Sequence, residues 1–159
     1  MREERSLDQM DLKLLRILEE DSRTPWSRIA RELGVSETTV YLRVRKLMDM
    51  GVLEGFTAKI NPSKLGLLAT AYILLKVKAD SLEQLKRILA ENPHVIEAYE
   101  VFAGEYNLLL KLIARNQEEA AESIDGILSL PGVQGALTIY AVRTVKSKKG
   151  VTEVVLRSS

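Results

Sequence analysis

Apolar positions in the first part of the chain recur at helical period. Met10, Leu14, Ile17 and Leu18 form a stripe behind Ser6 and Gln9, which have capping-box spacing. Thr24-Pro25 supplies a second start, an N-cap followed by proline at the first helical position. Trp26, Ile29 and Leu33 then line the buried side of a short helix that Gly34 ends as a left-handed cap. Ser36 caps a third helix, in which Val40, Val44 and Leu47 recur at i, i+4 and i+7, and Gly51 stops it. Residues 52–60 are expected to form a small hairpin. The run 23–56 therefore has the layout of a winged helix-turn-helix.

Past Asn61-Pro62-Ser63 the period changes. Ala71, Ile73, Leu75 and Val77 alternate with Tyr72, Leu74, Lys76 and Lys78, as in a strand covered on one face. Asp80 and Glu83 open a helix carrying Leu82, Leu85 and Leu89, Pro93 breaks it, and 95–103 reads as a second strand. The plan then repeats. A strand over 108–114 is followed by Asn116 and Glu119 in capping-box spacing, a stripe of Ala120, Ile124, Ile127 and Leu128, a break at Pro131-Gly132, and a strand over 136–145. Two such strand-helix-strand copies interleave most economically as a four-stranded antiparallel sheet with both helices on one face. The fold class expected is α+β, a winged helix-turn-helix followed by a ferredoxin-like (βαββαβ, ACT-like) domain. The expected division is 1–60, a linker over 61–68, and 69–159. The uncovered sheet face carries apolar side chains, which predicts self-association. Residues 151–156 are expected as one more strand, after a turn at Lys148-Lys149-Gly150.

Composition narrows the chemistry. The 159 residues include no cysteine and a single histidine, His94, which leaves no thiolate site and little material for a histidine-based catalytic or metal centre. No metal, no cofactor and no catalytic residue is expected, and the protein is read as a non-enzyme. Neither a signal-like apolar start nor a membrane-length apolar run is present, so the expectation is a cytoplasmic protein without a membrane partner. Net charge is only +1, so a nucleic-acid partner requires positive charge gathered on one surface. Over 23–59 such a bias exists: Arg23, Arg28, Arg31, Arg43, Arg45, Lys46 and Lys59 outnumber Glu32, Glu37, Asp49 and Glu54.

With Val40, Val44 and Leu47 buried, the third helix leaves Glu37, Thr38, Thr39, Tyr41, Arg43, Arg45 and Lys46 to solvent. Ser36, Thr38, Thr39, Tyr41, Arg43, Arg45 and Lys46 are accordingly the candidate DNA contacts. Hydroxyls and N–H groups at a helix N-terminus suit phosphate, and arginine can pair bidentately with guanine O6 and N7. Arg43→Ala and Arg45→Ala are expected to weaken operator binding without unfolding the domain. Trp26 is read as a packing residue.

Leu7-Asp8-x-x-Asp11, Leu14-Leu15, Asp21-Ser22-Arg23, Ile29-Ala30, Leu33-Gly34-Val35-Ser36, Arg43-x-x-x-Leu47 and Gly51-Val52-Leu53-x-Gly55-Phe56 resemble the Lrp/AsnC (feast/famine) transcription regulators. The resemblance continues through Asn61-Pro62, Leu65-Gly66, Val101-x-x-Gly104-x-Tyr106, Leu130-Pro131-Gly132-Val133 and Thr138. It implies a protein that binds double-stranded DNA, a homodimer that assembles further into an octamer, and an amino-acid or related effector held between dimers. The effector residues it implies are Gly104, Glu105, Tyr106 and Asn107 at a turn, with Thr138 on the final strand. The aspartate usual at the last turn position is Asn107 here, so an α-ammonium group loses a charged partner. Asn107 and Gly104 read equally well as residues that simply build the turn. Two alternatives follow from the same plan. One is an enzyme similar to the siroheme decarboxylases, for which the second half offers only His94, Arg87, Arg115, Arg143 and Arg157. The other is an architectural DNA-binding protein without an effector.

Overall fold

The computed structural model describes residues 6–147 and 150–157. The chain divides into two compact units: residues up to Lys59 together with those from Lys146, and Ile60–Val145.

In the first unit, α1 (Gln9–Glu20), α2 (Trp26–Leu33) and α3 (Glu37–Asp49) enclose Leu14, Leu15, Leu18, Ile29, Ala30, Val40, Val44 and Leu47. Each fully buried aliphatic side chain there contributes about 1.5–3 kcal/mol of burial. Gly34 takes φ +69° after α2, a conformation that costs a residue with a Cβ. Ser36 caps α3, its hydroxyl accepting from Thr39 N–H at 3.1 Å.

Three local expectations change. The reciprocal cap of α1 is made by Asp8 and Asp11, two residues beyond the Ser6–Gln9 pair. Pro25, not Thr24, is the N-cap of α2, and the Thr24 hydroxyl instead donates to Asp21 C=O at 2.8 Å. Residues 52–60 form no strand ladder. Val52, Phe56 and Ile60 are exposed there and only Leu53 packs on the core, so a hairpin would have no apolar face to hold it.

In the second unit the strands are β1 (Ala69–Val77), β2 (Val95–Ala103), β3 (Tyr106–Ala114) and β4 (Val133–Tyr140), with α4 (Leu82–Ala90) and α5 (Gln117–Leu128) between them. The sheet order is β2-β3-β1-β4 and every neighbouring pair is antiparallel, the ferredoxin-like arrangement. Ala71, Ile73, Leu75, Leu108, Leu110 and Leu112 lie under the helices with Leu85, Leu89, Ile124 and Ile127. Leu128, expected in the stripe of α5, is more than a third exposed.

A sixth helix, α6 (Thr152–Arg157), takes the place of the strand expected at 151–156 and belongs to the first unit. The Glu19 carboxylate, near the end of α1, accepts from the N–H groups of Val151 at 2.8 Å and Thr152 at 3.2 Å. Those are donors a helix start leaves without intrahelical partners. Thr152 is buried, and a Cβ at Gly150 would come within 2.9 Å of Glu19 Oε2. Lys148 and Lys149, read as part of a turn, lie outside the described residues.

Candidate functional site

The outward face of α3 rests on a buried charge. Asp11 is fully buried, and its carboxylate accepts from Arg43 Nη1 at 2.7 Å and from Lys46 Nζ at 2.8 Å. Arg43 also reaches Asp8 Oδ2 at 2.6 Å, and Lys46 reaches Ser6 C=O at 3.4 Å. Two carboxylates spaced i, i+3, at the N-cap and in the first turn of α1, thus meet two cations spaced i, i+3 on α3. Burial pushes the Asp11 carboxyl up, but hydrogen bonds from Lys46, the Asp8 amide and Arg43 outweigh it and hold it below the usual range. Asp8 is lowered in the same way, burial being overcome by Arg43 and the amides of Asp11 and Met10. Arg43 and Lys46, two of the three cations expected to face a ligand, are therefore turned to the start of α1.

The other candidates remain outside. Ser36, Thr38, Tyr41 and Arg45 are exposed and Thr39 is half-buried. The Thr39 hydroxyl is 2.8 Å from that of Ser36, within the cap itself. Arg45 Nη1 lies 3.5 Å from the Tyr41 hydroxyl. Trp26, read as a core or helix-packing residue, is 40% exposed and takes the second role, its ring packed against Tyr41 with centroids 5.3 Å apart. Ile29 and Ala30 fill the interior on that side, which leaves the first residue of α2 at the rim. Arg23, Arg28 and Arg31 are also exposed.

At the effector turn, Ala103 pairs with Tyr106, so Gly104-Glu105 is a two-residue hairpin loop. Gly104, at φ +63°, takes the first loop position, where such turns favour glycine. Asn107 spends its amide on the backbone: Oδ1 accepts from Val77 N–H at 2.9 Å and Nδ2 donates to Val77 C=O at 2.8 Å. Asparagine fits there and aspartate does not, because a carboxylate has no N–H for the carbonyl. Glu105 is paired with Lys76 at 2.8 Å, and Tyr106 is half-buried. Thr138 pairs with Ile73 on β1, four positions before Val77 and so about 13 Å along the strand from the Asn107 contact. Within one chain the turn and Thr138 are not brought together.

The sheet face away from the helices carries a cross-strand row of Leu137, Leu74, Leu109 and Tyr99, next to a row of Ile139, Tyr72, Lys111 and Glu97. Leu137, Ile139 and Tyr99 are about half exposed. Among the described residues, no group of three or more His, Asp or Glu is placed to hold a metal, and no helix is long and apolar enough to cross a membrane.

Two family models match the chain. One describes the AsnC-type helix-turn-helix domain and covers residues 7–48. The other describes the Lrp/AsnC ligand binding domain and covers residues 70–151. HTH-type transcriptional regulator FL11 of Pyrococcus horikoshii is 39% identical over 140 residues, 88% of this chain and 92% of the relative. Among solved structures, B. subtilis LrpC superposes with a TM-score of 0.80 at 29% identity, covering 90% of this chain and 99% of its own. A transcriptional regulator from Neisseria meningitidis in complex with L-Met superposes with a TM-score of 0.86 at 23% identity, covering 92% and 96%.

Proposed function

Because this chain belongs to the Lrp/AsnC family of transcription regulators, we propose that it binds double-stranded DNA through the outward face of α3 and does so as a dimer. The observation that carries this reading is the division of labour on α3. Val40, Val44 and Leu47 bury one side, Arg43 and Lys46 fasten the helix to Asp11, and Thr38, Tyr41 and Arg45 are left exposed on a face that Ser36 begins. Ser36, Thr38 and Thr39, at the helix N-terminus, position phosphate, where backbone N–H groups and the helix dipole favour an anion. Tyr41 adds a hydroxyl, and Arg45 reads a guanine edge. Arg43 and Lys46 serve the interface by holding its angle.

The apolar row of Leu137, Leu74, Leu109 and Tyr99 on the open sheet face supports a homodimer formed by a second copy, since it leaves Leu and Tyr side chains in water. A two-fold dimer presents paired α3 helices to successive major grooves about 34–36 Å apart, or a multiple of that. Further assembly into an octamer belongs to the same reading. For the effector we propose an amino acid held by Gly104, Glu105 and Tyr106 of one copy with Thr138 of another, because one chain separates them. The L-Met complex of the Neisseria meningitidis relative supports that ligand class. Asn107 acts there through the shape of the turn. The enzymatic alternative finds no support in the names of the relatives.

In vitro selection from random duplex DNA, repeated with a panel of amino acids, tests both parts. A two-fold symmetric motif whose affinity responds to at least one amino acid is expected. Failure to enrich any sequence would overturn the DNA reading, and an enriched motif indifferent to every amino acid would overturn the effector reading alone.

A further inference from the structure

The outermost position of α3 is held by an aliphatic residue. At about 100° per residue, Leu42 lies within about 40° of diametrically opposite Val40, Val44 and Leu47. It is 58% exposed while those three are buried. Its neighbours on the outward stripe are Thr38 at i−4 and Arg45 at i+3. Arg43 is drawn off to Asp8 and Asp11, and the Tyr41 ring leans on Trp26. What remains to enter a groove is therefore a short hydroxyl, an aliphatic knob and a guanidinium in one line.

An isolated exposed leucine is ordinary. This one sits at the apex of the face that the proposed function assigns to DNA, and that setting names its occupant. Of the base edges in the major groove, only thymine offers a methyl group, and apolar side chains meet it. We propose that Leu42 is a base-reading residue that packs on a thymine C5-methyl while Arg45 pairs with a guanine close by. Residues three apart on a helix are about 5–6 Å apart, and base pairs rise about 3.4 Å, so the two bases lie one or two steps from each other. Arg45 contributes hydrogen bonds and Leu42 a hydration-driven contact, so their losses differ in kind.

The inference rests on the DNA-binding reading, and its test separates the two. The probe is the duplex enriched by the wild-type chain, compared with the same duplex carrying deoxyuridine at the thymines within two base pairs of the conserved guanine. Loss of the methyl should weaken wild-type binding about fourfold, the equivalent of the ~0.8 kcal/mol carried by one buried methylene. Leu42→Ala should bind the thymine duplex severalfold more weakly and no longer distinguish it from the deoxyuridine duplex. An unchanged thermal melt is expected for this variant, since the residue is exposed and alanine favours helix. Equal wild-type affinity for both duplexes, or a Leu42→Ala variant that still discriminates them, would overturn the inference and leave the DNA reading standing. Enrichment of no duplex at all would overturn both.

Discussion

With Asp11 buried between Arg43 and Lys46, the first unit depends on a carboxylate that stays ionised. An unfolded aspartate titrates near 3.9, and the folded group lies lower. The stabilisation is therefore complete above about pH 4 and is lost as pH falls through the folded value. Trp26 is the only tryptophan, so its fluorescence reports the unfolding of this unit. At pH 7, Asp11→Asn should lower unfolding free energy by about 2–3 kcal/mol, the worth of a hydrogen bond to a charged group in a buried setting. It should also flatten the acid dependence, and an unchanged denaturant midpoint would contradict the clamp. Arg43→Ala should likewise destabilise the unit, which reverses the expectation that it leaves the fold untouched. The spacing of Asp8, Asp11, Arg43 and Lys46 was present in the sequence, but nothing in one helix's periodicity says which cation faces a neighbouring helix. A comparable point holds for Asn107. Asn107→Asp loses the donor to Val77 C=O and should cost about 1–3 kcal/mol in a thermal or chemical melt of the second unit. A neutral effect would return Asn107 to the pool of ligand contacts.

Elements with a repeating stripe and clear end signals were legible, and the segments 52–60 and 151–156 were not. The stripes of α3 and α5 and the alternation of β1 repeat often enough to identify both the element and its buried face. Residues 151–156 are too few to separate a helical from an extended period, and their helix starts on Glu19, far away in sequence. Residues 52–60 carry strand-forming side chains, yet with Leu53 alone packed on the core those preferences produce no ladder. Trp26 packs on Tyr41 at the rim instead of in the core because it is the first residue of α2. For α6 the consequence is specific. Glu19→Ala removes the acceptor for the Val151 and Thr152 amides and should cost about 1 kcal/mol, with faster hydrogen exchange at Thr152. Unchanged protection there would show that the tail does not depend on Glu19.

The chain passes between its two units twice, once after Lys59 and again before Lys146. The duplicated strand-helix-strand pattern made the second unit legible, since each copy repeats the other's punctuation. What closes the open sheet face was legible only as a need, because a partner leaves no periodicity in the chain it binds. Leu74 and Leu109, paired across β1 and β3 at the centre of that face, are the places to test it. Leu74→Lys should shift the sedimentation coefficient to that of a monomer while the helix-covered core stays intact, and an unchanged assembly would move the interface elsewhere. Such a monomer should also bind a two-site duplex far more weakly than the dimer, through loss of the linked second site. In the proposed complex α3 meets DNA through a face on which Arg45 stays exposed to read a base while Arg43 and Lys46 are held on Asp11. The most direct measurement is the affinity of the wild-type chain and of Arg45→Ala for the selected duplex between about 50 and 200 mM salt. With roughly 6–10 phosphate contacts across a dimer, wild-type affinity should fall by about 10³–10⁵ over that range. Arg45→Ala should bind about 10–100-fold more weakly at every salt concentration and lose its preference for the conserved guanine. Salt-independent wild-type binding, or an Arg45→Ala variant with unchanged affinity and sequence preference, would contradict the account.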